Sequence, residues 1–552
     1  MAMADTGYDA LIVGSGASGM FAAHELTRQG LKVLLLEAGP EIGPEHFDPA
    51  YAPRQSQINL WQRAKATLLG RGIQAKAAFF DGRMRHLFVD DRKNPYTTPK
   101  DVPYLWIRSK QSGGRTHVFG RVLMRWSDDD FQGARRMGRG YDWPFTYADL
   151  APFYEEVEEV LALYGQTDNV PTLPDSRYAH AAGMTEAEQL FKSRVESRWP
   201  ERRVTTWRYI GHDPSRMLKP LREARAKGLE TRHNMMARRV LTDPSGRRAT
   251  GVEVIDTTTG AVTQFAARAV VICASPIESI RLLFNSATEA HPKGLGNQAD
   301  QLGRYFLDQL PMVAAGGFPE VKGRGVDPTA FADPFYRPTG GIFLPRFIAA
   351  DGVRAATDYA YQGSIGRSPA KPDAPAALSF FGYGQMQADR ENRVTLDPRR
   401  KDAWGVAVPH IRLKLGPADI DTLERETAAL VETVTGAGGE LEYTGSPLGL
   451  TEYGRGAYPD ADPLSRLAFR TLFKRTMVMG AAIHEAGGAR MGTDGAQSVL
   501  NPFNQLWDMP NLLVTDASAF PSSGVSGTTL TIMAMTVRAC RNLVEELGRG
   551  GI

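Results

Sequence analysis

A chain of 552 residues is too long for one compact core and sets the expectation of two domains interleaved in sequence. Hydrophobic residues make up 42% and charged residues 23%, with a formal charge of only +3; this fits an ordinary globular protein and argues against a nucleic-acid footprint. No apolar run is long enough for a membrane-spanning helix, and Cys273 and Cys540, each among apolar neighbours, read as buried thiols rather than a disulfide or metal site.

In chain order, an apolar strand from Tyr8 to Val13 runs into Gly14-x-Gly16-x-x-Gly19. An amphipathic segment follows from Phe21 to Gly30, then a second strand ending in Glu37 and Ala38. This is a βαβ dinucleotide fingerprint in its full context. Gly14 makes the tight turn, Gly16 admits a pyrophosphate, and Gly19, beside Ser18, lets the helix lie close on the strand. The helix N-terminus favours the anion, and Glu37 is placed to accept from both ribose hydroxyls. The fold starts within about eight residues of Met1, so the expected location is cytoplasmic, with export on a partner subunit as the alternative.

Pro40 to Pro103 is polar with few periodic signals. Ser112-Gly113-Gly114-Arg115-Thr116-His117-Val118 is too glycine-rich for a regular element and reads as a loop approaching a ligand. A helix is expected from Tyr147 to Leu163. The β pattern then covers Met235–Thr242, Ala249–Ile255, Val262–Ala267 and Ala269–Cys273, followed by a helix through Ile277–Leu283. Residues 305–475 show scattered strands and one clear helix, Ile420 to Thr435. At the C-terminus a strand, Leu512 to Thr515, delivers Asp516 into a small-residue turn, and a helix runs from about Thr529 to Leu547. An acid there suits a ribityl chain, and the helix start at Thr528-Thr529 suits a flavin carbonyl that becomes anionic on reduction.

Five segments together resemble the glucose–methanol–choline (GMC) flavoprotein oxidoreductases. They are the N-terminal fingerprint with Glu37; Gly113-Gly114 through Gly120, Arg125 and Asp130-Phe131; Ser275-Pro276 through Ser279, Leu282-Leu283 and Ser286; Glu391-Asn392-Arg393-Val394-Thr395-Leu396; and His484-x-x-Gly487-x-x-x-Met491-Gly492 running on to Met533. Pro95-Tyr96-Thr97-Thr98-Pro99 and Trp143-Pro144 are similar to a bacterial branch that includes sugar and glycoside 3-dehydrogenases and pyranose-oxidase relatives. The resemblance implies an α/β fold: a Rossmann-like FAD-binding domain from 1–160, 205–305 and 476–552, with an inserted α+β substrate domain, 161–204 and 306–475, built on an antiparallel sheet. FAD is expected to be bound non-covalently, a link to His117 being the alternative, because the family's attachment position falls here on Val118. Cofactor contacts are expected at Gly14, Gly16, Ser18, Gly19, Glu37, Ala38, Gly114, His117, Val118, Val240, Asp516, Thr528 and Thr529.

The activity so implied is oxidation of a hydroxyl to a carbonyl, with the hydride going to the flavin and the proton to His484. A neutral imidazole near pH 7 suits that proton. The second His or Asn usual in the family falls here on Gly527, which offers no side chain; Ser526, Thr528 or a water are the substitutes. Gln309 stands where a His is common and is expected to pack beneath the cofactor. Arg115 and Arg121 flank the flavin loop. Asn504 and Gln505, near Trp507, fit positions close to flavin and substrate. Specificity is expected in the second domain, at Phe380, Tyr383, Gln385 and Gln387, with Phe381, Tyr383, Gln385 and Gln387 alternating along one strand face. The expected substrate is a sugar or glycoside. A phenol or aryl alcohol, or a redox-neutral lyase reaction, is the alternative. An electron-acceptor protein or small partner subunit is the expected macromolecular partner, with no nucleic acid and no membrane segment.

Overall fold

The computed structural model describes residues 7–46, 60–77, 80, 82–211, 219–323, 340–367, 373–454, 463–550 and 552; parts of the irregular stretches 40–103 and 305–475 lie outside them. Five parallel strands form the centre of an eight-stranded sheet, in the order Met509–Val514, Val262–Ile272, Tyr8–Val13, Val33–Leu36, Glu230–Arg232. Leu11, Ile12, Val270, Val271, Leu512 and Leu513 are fully buried, which is why these strands are continuous apolar runs. Helix Ala17–Arg28 packs between helices Thr529–Arg549 and Lys219–Ala226. The two ends of the chain thus share one sheet and one helical layer. Among the described residues no helix is long and apolar enough to cross a membrane.

Val262–Ala267 and Ala269–Cys273, expected as two strands, form one, Val262–Ile272. Its first half pairs antiparallel with Ala249–Asp256, and its second half pairs parallel with Tyr8–Val13. Arg268 marks the change of partner rather than a break; its guanidinium donates to Asp9 Oδ1 at 3.1 Å.

The second sheet has seven strands, ordered Gly449–Glu452, Glu440–Ser446, Gln309–Lys322, Pro375–Gln385, Tyr359–Ile365, Ile342–Leu344, Thr205–Thr206. Thr205–Thr206, placed by the sequence at the start of a cofactor-domain stretch, instead pairs with Ile342–Leu344 at this sheet's edge. Helices Pro417–Gly436 and Glu186–Arg198 pack on the sheet over a core of Phe191, Phe318, Tyr361, Phe380 and Leu430. The first of these starts earlier than its periodicity shows, at a Pro in the first turn, with Asp419 Oδ2 accepting the Gly416 N–H at 2.8 Å. A second helix in this region, Pro463–Thr476, gives a weak periodic signal because Leu464 and Leu467 are 76% and 60% exposed.

Two buried side chains reach out from the second sheet. Gln309, the first residue of strand Gln309–Lys322 and paired with Gln385 within that sheet, donates its Nε2 to the Ser523 carbonyl at 2.8 Å. Arg346, from the second sheet's side, places Nη2 2.7 Å from Asp130 Oδ1 and donates to Gln385 Oε1 at 3.0 Å.

Candidate functional site

The N-terminal glycines form a cradle for a dinucleotide. Gly14 has φ +97°, and a Cβ there would lie 2.6 Å from the Cys273 carbonyl oxygen. A Cβ on Gly19 would lie 1.8 Å from the Gly14 carbonyl oxygen, so only glycine lets the helix approach the strand. Gly16 is different: nothing lies within 4 Å of an added Cβ. That open space at a helix N-terminus is where a pyrophosphate fits. Gly114 faces it, its nearest atom to an added Cβ being Gly16 Cα at 3.4 Å, and Gly113 N–H donates to Ser15 Oγ at 3.0 Å. The Ser109 and Ser112 hydroxyls are buried there with no hydrogen-bond partner among the described residues, as a loop waiting on a polar ligand would leave them.

Glu37 is buried beside this cradle, and burial raises its pKa. Its Oε2 accepts from Ser15 N–H at 3.1 Å and Ser15 Oγ at 2.5 Å, and its Oε1 from Gly39 N–H at 3.0 Å. A carboxylate offers about four lone-pair directions, so roughly one remains for a ribose hydroxyl rather than the two expected. Ala38 is half-buried alongside. The Ser18 hydroxyl lies in a buried cluster with Thr515 Oγ1 at 2.9 Å and Thr536 Oγ1 at 3.0 Å.

Other expected cofactor residues divide. His117 folds onto its own loop, with Nε2 2.8 Å from the Ser112 carbonyl oxygen. Val118 is buried in an apolar cluster shared with Ile483, next to His484. Asp516 caps the short turn Ala517–Ala519: Oδ1 accepts from Ser518 N–H at 2.9 Å and Ser518 Oγ at 2.6 Å, while Ser279 donates to Oδ2. Thr528 and Thr529 begin the last helix as expected. Val240 is fixed through its backbone. Its N–H donates to Ser286 Oγ at 2.8 Å, whereas Met235, five residues earlier on the same strand, donates its N–H to the Glu37 carbonyl at 2.8 Å. Met236 then lies against Lys110, with Nζ 3.9 Å from Sδ. That one backbone hydrogen bond to Glu37, invisible in the sequence, brings the start of the strand alongside.

His484 sits where the two sheets meet. Ile483 before it has φ +59°, a strained conformation for a β-branched residue. Ala486 after it exchanges backbone hydrogen bonds with Leu307, at 2.8 and 2.7 Å. The His484 N–H donates to Asp308 Oδ1 at 3.2 Å, and its Nδ1 lies 2.6 Å from Gln309 Oε1. The Tyr383 ring stands 4.9 Å away, centroid to centroid. Burial, aided by the Arg115 guanidinium, pushes the imidazole down to about 4, so it is neutral at pH 7. Arg115 pairs with Glu485 at 2.7 Å. Asp308 is pushed up to about 7, by burial first and then by neighbouring Glu485.

Gln309, expected beneath the cofactor, contacts His484. Gly527 leaves room beside the last helix: an added Cβ would meet only the Val122 carbonyl oxygen, at 3.4 Å. Ser526 contributes its carbonyl to Gln309 Nε2, at 2.7 Å. Val122, Phe343, Ala360, Val525 and the half-buried Trp207 form an apolar cluster here.

The residues expected to meet the substrate lie in different surroundings. On strand Pro375–Gln385, Phe381, Tyr383 and Gln385 share one face. Tyr383 meets His484, and Phe381 is 42% exposed. Phe380 points the other way, into the core beneath the helices. Gln385 is fully buried and bound to Arg346. Gln387 lies past the strand's end, with its N–H donating to Asp419 Oδ1 at 2.8 Å. Asn504 is fully buried, and its Nδ2 donates to the Val514 carbonyl at 2.9 Å. Gln505 reaches Glu546 and Trp507 reaches Ser498, so this stretch braces the first sheet's edge. Arg121 is buried in a left-handed conformation, φ +58°.

Two GMC oxidoreductase family profiles match the chain, the N-terminal one over residues 8–310 and the C-terminal one over residues 388–536. The chain is 26% identical to 2-methyl-1,2-propanediol dehydrogenase of Mycolicibacterium austroafricanum, covering 96% of this chain and 94% of the relative. It is 28% identical to C-glycoside 3-oxidase of Arthrobacter globiformis over 54% of this chain and 50% of the relative. Among solved structures, pyridoxine 4-oxidase from Mesorbium loti superposes with a TM-score of 0.62 at 17% identity, covering 97% and 99% of the two chains. That likeness is one of fold.

Proposed function

The chain belongs to the GMC oxidoreductase family of FAD flavoproteins, and from that premise we propose that it oxidises a hydroxyl group of a sugar or glycoside to a carbonyl. Relatives named as dehydrogenases and oxidases of alcohols and glycosides support this class. The observation that carries it is His484: an imidazole held neutral between the two sheets, with Nδ1 engaged by Gln309. Bound FAD supplies the hydride acceptor. His484 Nε2 accepts the hydroxyl proton, so the carbinol loses a hydride and a proton together. Gly14, Gly16, Gly19, Glu37 and Gly114 hold the dinucleotide, the open face of Gly16 taking the pyrophosphate. Tyr383 and Phe381 line the approach for the substrate.

Aryl-alcohol oxidation is the second reading. The apolar cluster of Val122, Phe343, Ala360 and Trp207 beside Gly527 favours it, because it offers flat apolar surface where the resemblance expects a polar side chain. The test is anaerobic mixing of the yellow protein with sugars, glycosides and aryl alcohols while following flavin bleaching. Bleaching by glycosides is the expected result; an oxidised flavin throughout would sink the oxidoreductase reading in favour of a redox-neutral reaction. His484→Ala should slow bleaching by about 10²–10⁴, the usual worth of a general base. Undiminished bleaching would remove His484 from that role.

A further inference from the structure

We propose that Gln309 is a positioning residue that holds the hydrogen of His484 on Nδ1 and so presents a bare Nε2 to the substrate. This rests on the reading of His484 as the base. The Gln309 amide is fully buried. Its Nε2 donates to two backbone carbonyls, Ser523 O at 2.8 Å and Ser526 O at 2.7 Å. A carbonyl only accepts, and only the NH2 end of an amide offers two hydrogens. The amide therefore has one orientation: turning it round would set Oε1 against both carbonyl oxygens and leave them unsatisfied in a buried place. Oε1 is left facing His484 Nδ1 at 2.6 Å. Because that oxygen has no hydrogen to give, Nδ1 must be the donor. In a neutral imidazole the lone pair then resides on Nε2.

The arrangement is anchored from both sides. Asp308 Oδ1 accepts the backbone N–H of Gln309 at 2.8 Å and that of His484 at 3.2 Å, so base and partner hang from one carboxyl oxygen. The two carbonyls that lock the amide come from the loop leading to Gly527, the position without a side chain. A histidine at 309 has only two ring nitrogens and could not serve these three partners. A neutral amide also orients the imidazole without adding the negative charge that would favour imidazolium; the charged or titratable groups around it are Arg115, Asp308, Glu485 and Tyr383.

Nitrogen NMR of the FAD-loaded protein labelled with ¹⁵N-histidine reads the tautomer directly, with His484→Ala identifying the His484 signals by their loss. At pH 7 the wild type should show a protonated Nδ1 and a bare Nε2. Gln309→Leu should lose that single pattern and gain a protonated Nε2. Gln309→Glu should keep the hydrogen on Nδ1 but make the imidazole titrate at higher pH, since a carboxylate partner favours the charged ring. A hydrogen on Nε2 in the wild type overturns the proposal even if neither variant folds, and so does an unchanged pattern in Gln309→Leu. Failure of the base assignment would look different: His484→Ala would bleach its flavin normally while the wild-type tautomer stayed as drawn.

Discussion

Asp308 shows how much a single buried carboxyl can shape pH behaviour. Its carboxyl titrates at about 7 in the fold, against an ordinary 3.8. Between those values the native protein retains a proton that the unfolded chain releases. Stability from this group therefore falls as pH rises from about 4 to about 7, and then levels off. Asp308→Asn should remove that component, so urea unfolding of wild type and variant at pH 5 and pH 8 should show a smaller loss in the variant. Equal losses would mean that Asp308 is ionised in the native state throughout. The same carboxyl receives the His484 and Gln309 N–H groups, and an amide oxygen at 308 can still accept both. His484 was singled out by the resemblance together with its small-residue surroundings. Its partnership with Gln309 was not legible, because the two lie 175 positions apart and only the meeting of the sheets joins them.

At the level of elements, the first βαβ unit separates packing from ligand binding within six residues. Gly19 is needed by the fold: its added Cβ would overlap the Gly14 carbonyl. Gly16 faces open space, so a methyl group there meets no protein. Gly16→Ala should fold with near-wild-type circular dichroism and lose FAD, whereas Gly19→Ala should lose both. Absorbance near the flavin band relative to protein absorbance decides it, and a fully loaded Gly16→Ala would remove the pyrophosphate from that space. This unit was readable because strand, turn and helix are contiguous. The surroundings of Val240 and Asn504 were not readable, because contacts outside their own local patterns set them: Ser286 takes the Val240 N–H, and the Val514 carbonyl takes the Asn504 amide. The long strand Val262–Ile272 was divided at Arg268 because a charged residue inside an apolar run reads as an end.

Across the whole molecule, Arg346 is one of the buried polar groups that tie the second sheet to the rest, through Asp130, while it also holds Gln385 on its own side. Arg346 is 2% exposed and Asp130 4%. Removing one partner of such a buried pair costs about 3–5 kcal/mol, while replacing both with apolar groups costs far less. Arg346→Met should therefore lower unfolding free energy by about that amount, and Arg346→Met with Asp130→Leu should recover much of it. Urea titrations of the three proteins test this, and a double variant worse than the single would show that the pair is not the joint. Two interleaved domains were the expectation from length and motif order; the joint was not legible, since Asp130 was read within a motif and Gln385 within a strand, with nothing in the sequence to link either to Arg346. The strand Pro375–Gln385 carries a further consequence for any effort to retune the protein. Its glycines at 382 and 384 leave space that Glu426 fills, while Phe381 and Tyr383 face the other way. Deleting one residue upstream in this strand would exchange the two faces, driving a tyrosine into the helix and presenting bare backbone to His484. Laboratory evolution toward new alcohols thus has latitude to exchange side chains at 381 and 383, and none to change the length of the ribbon that carries them.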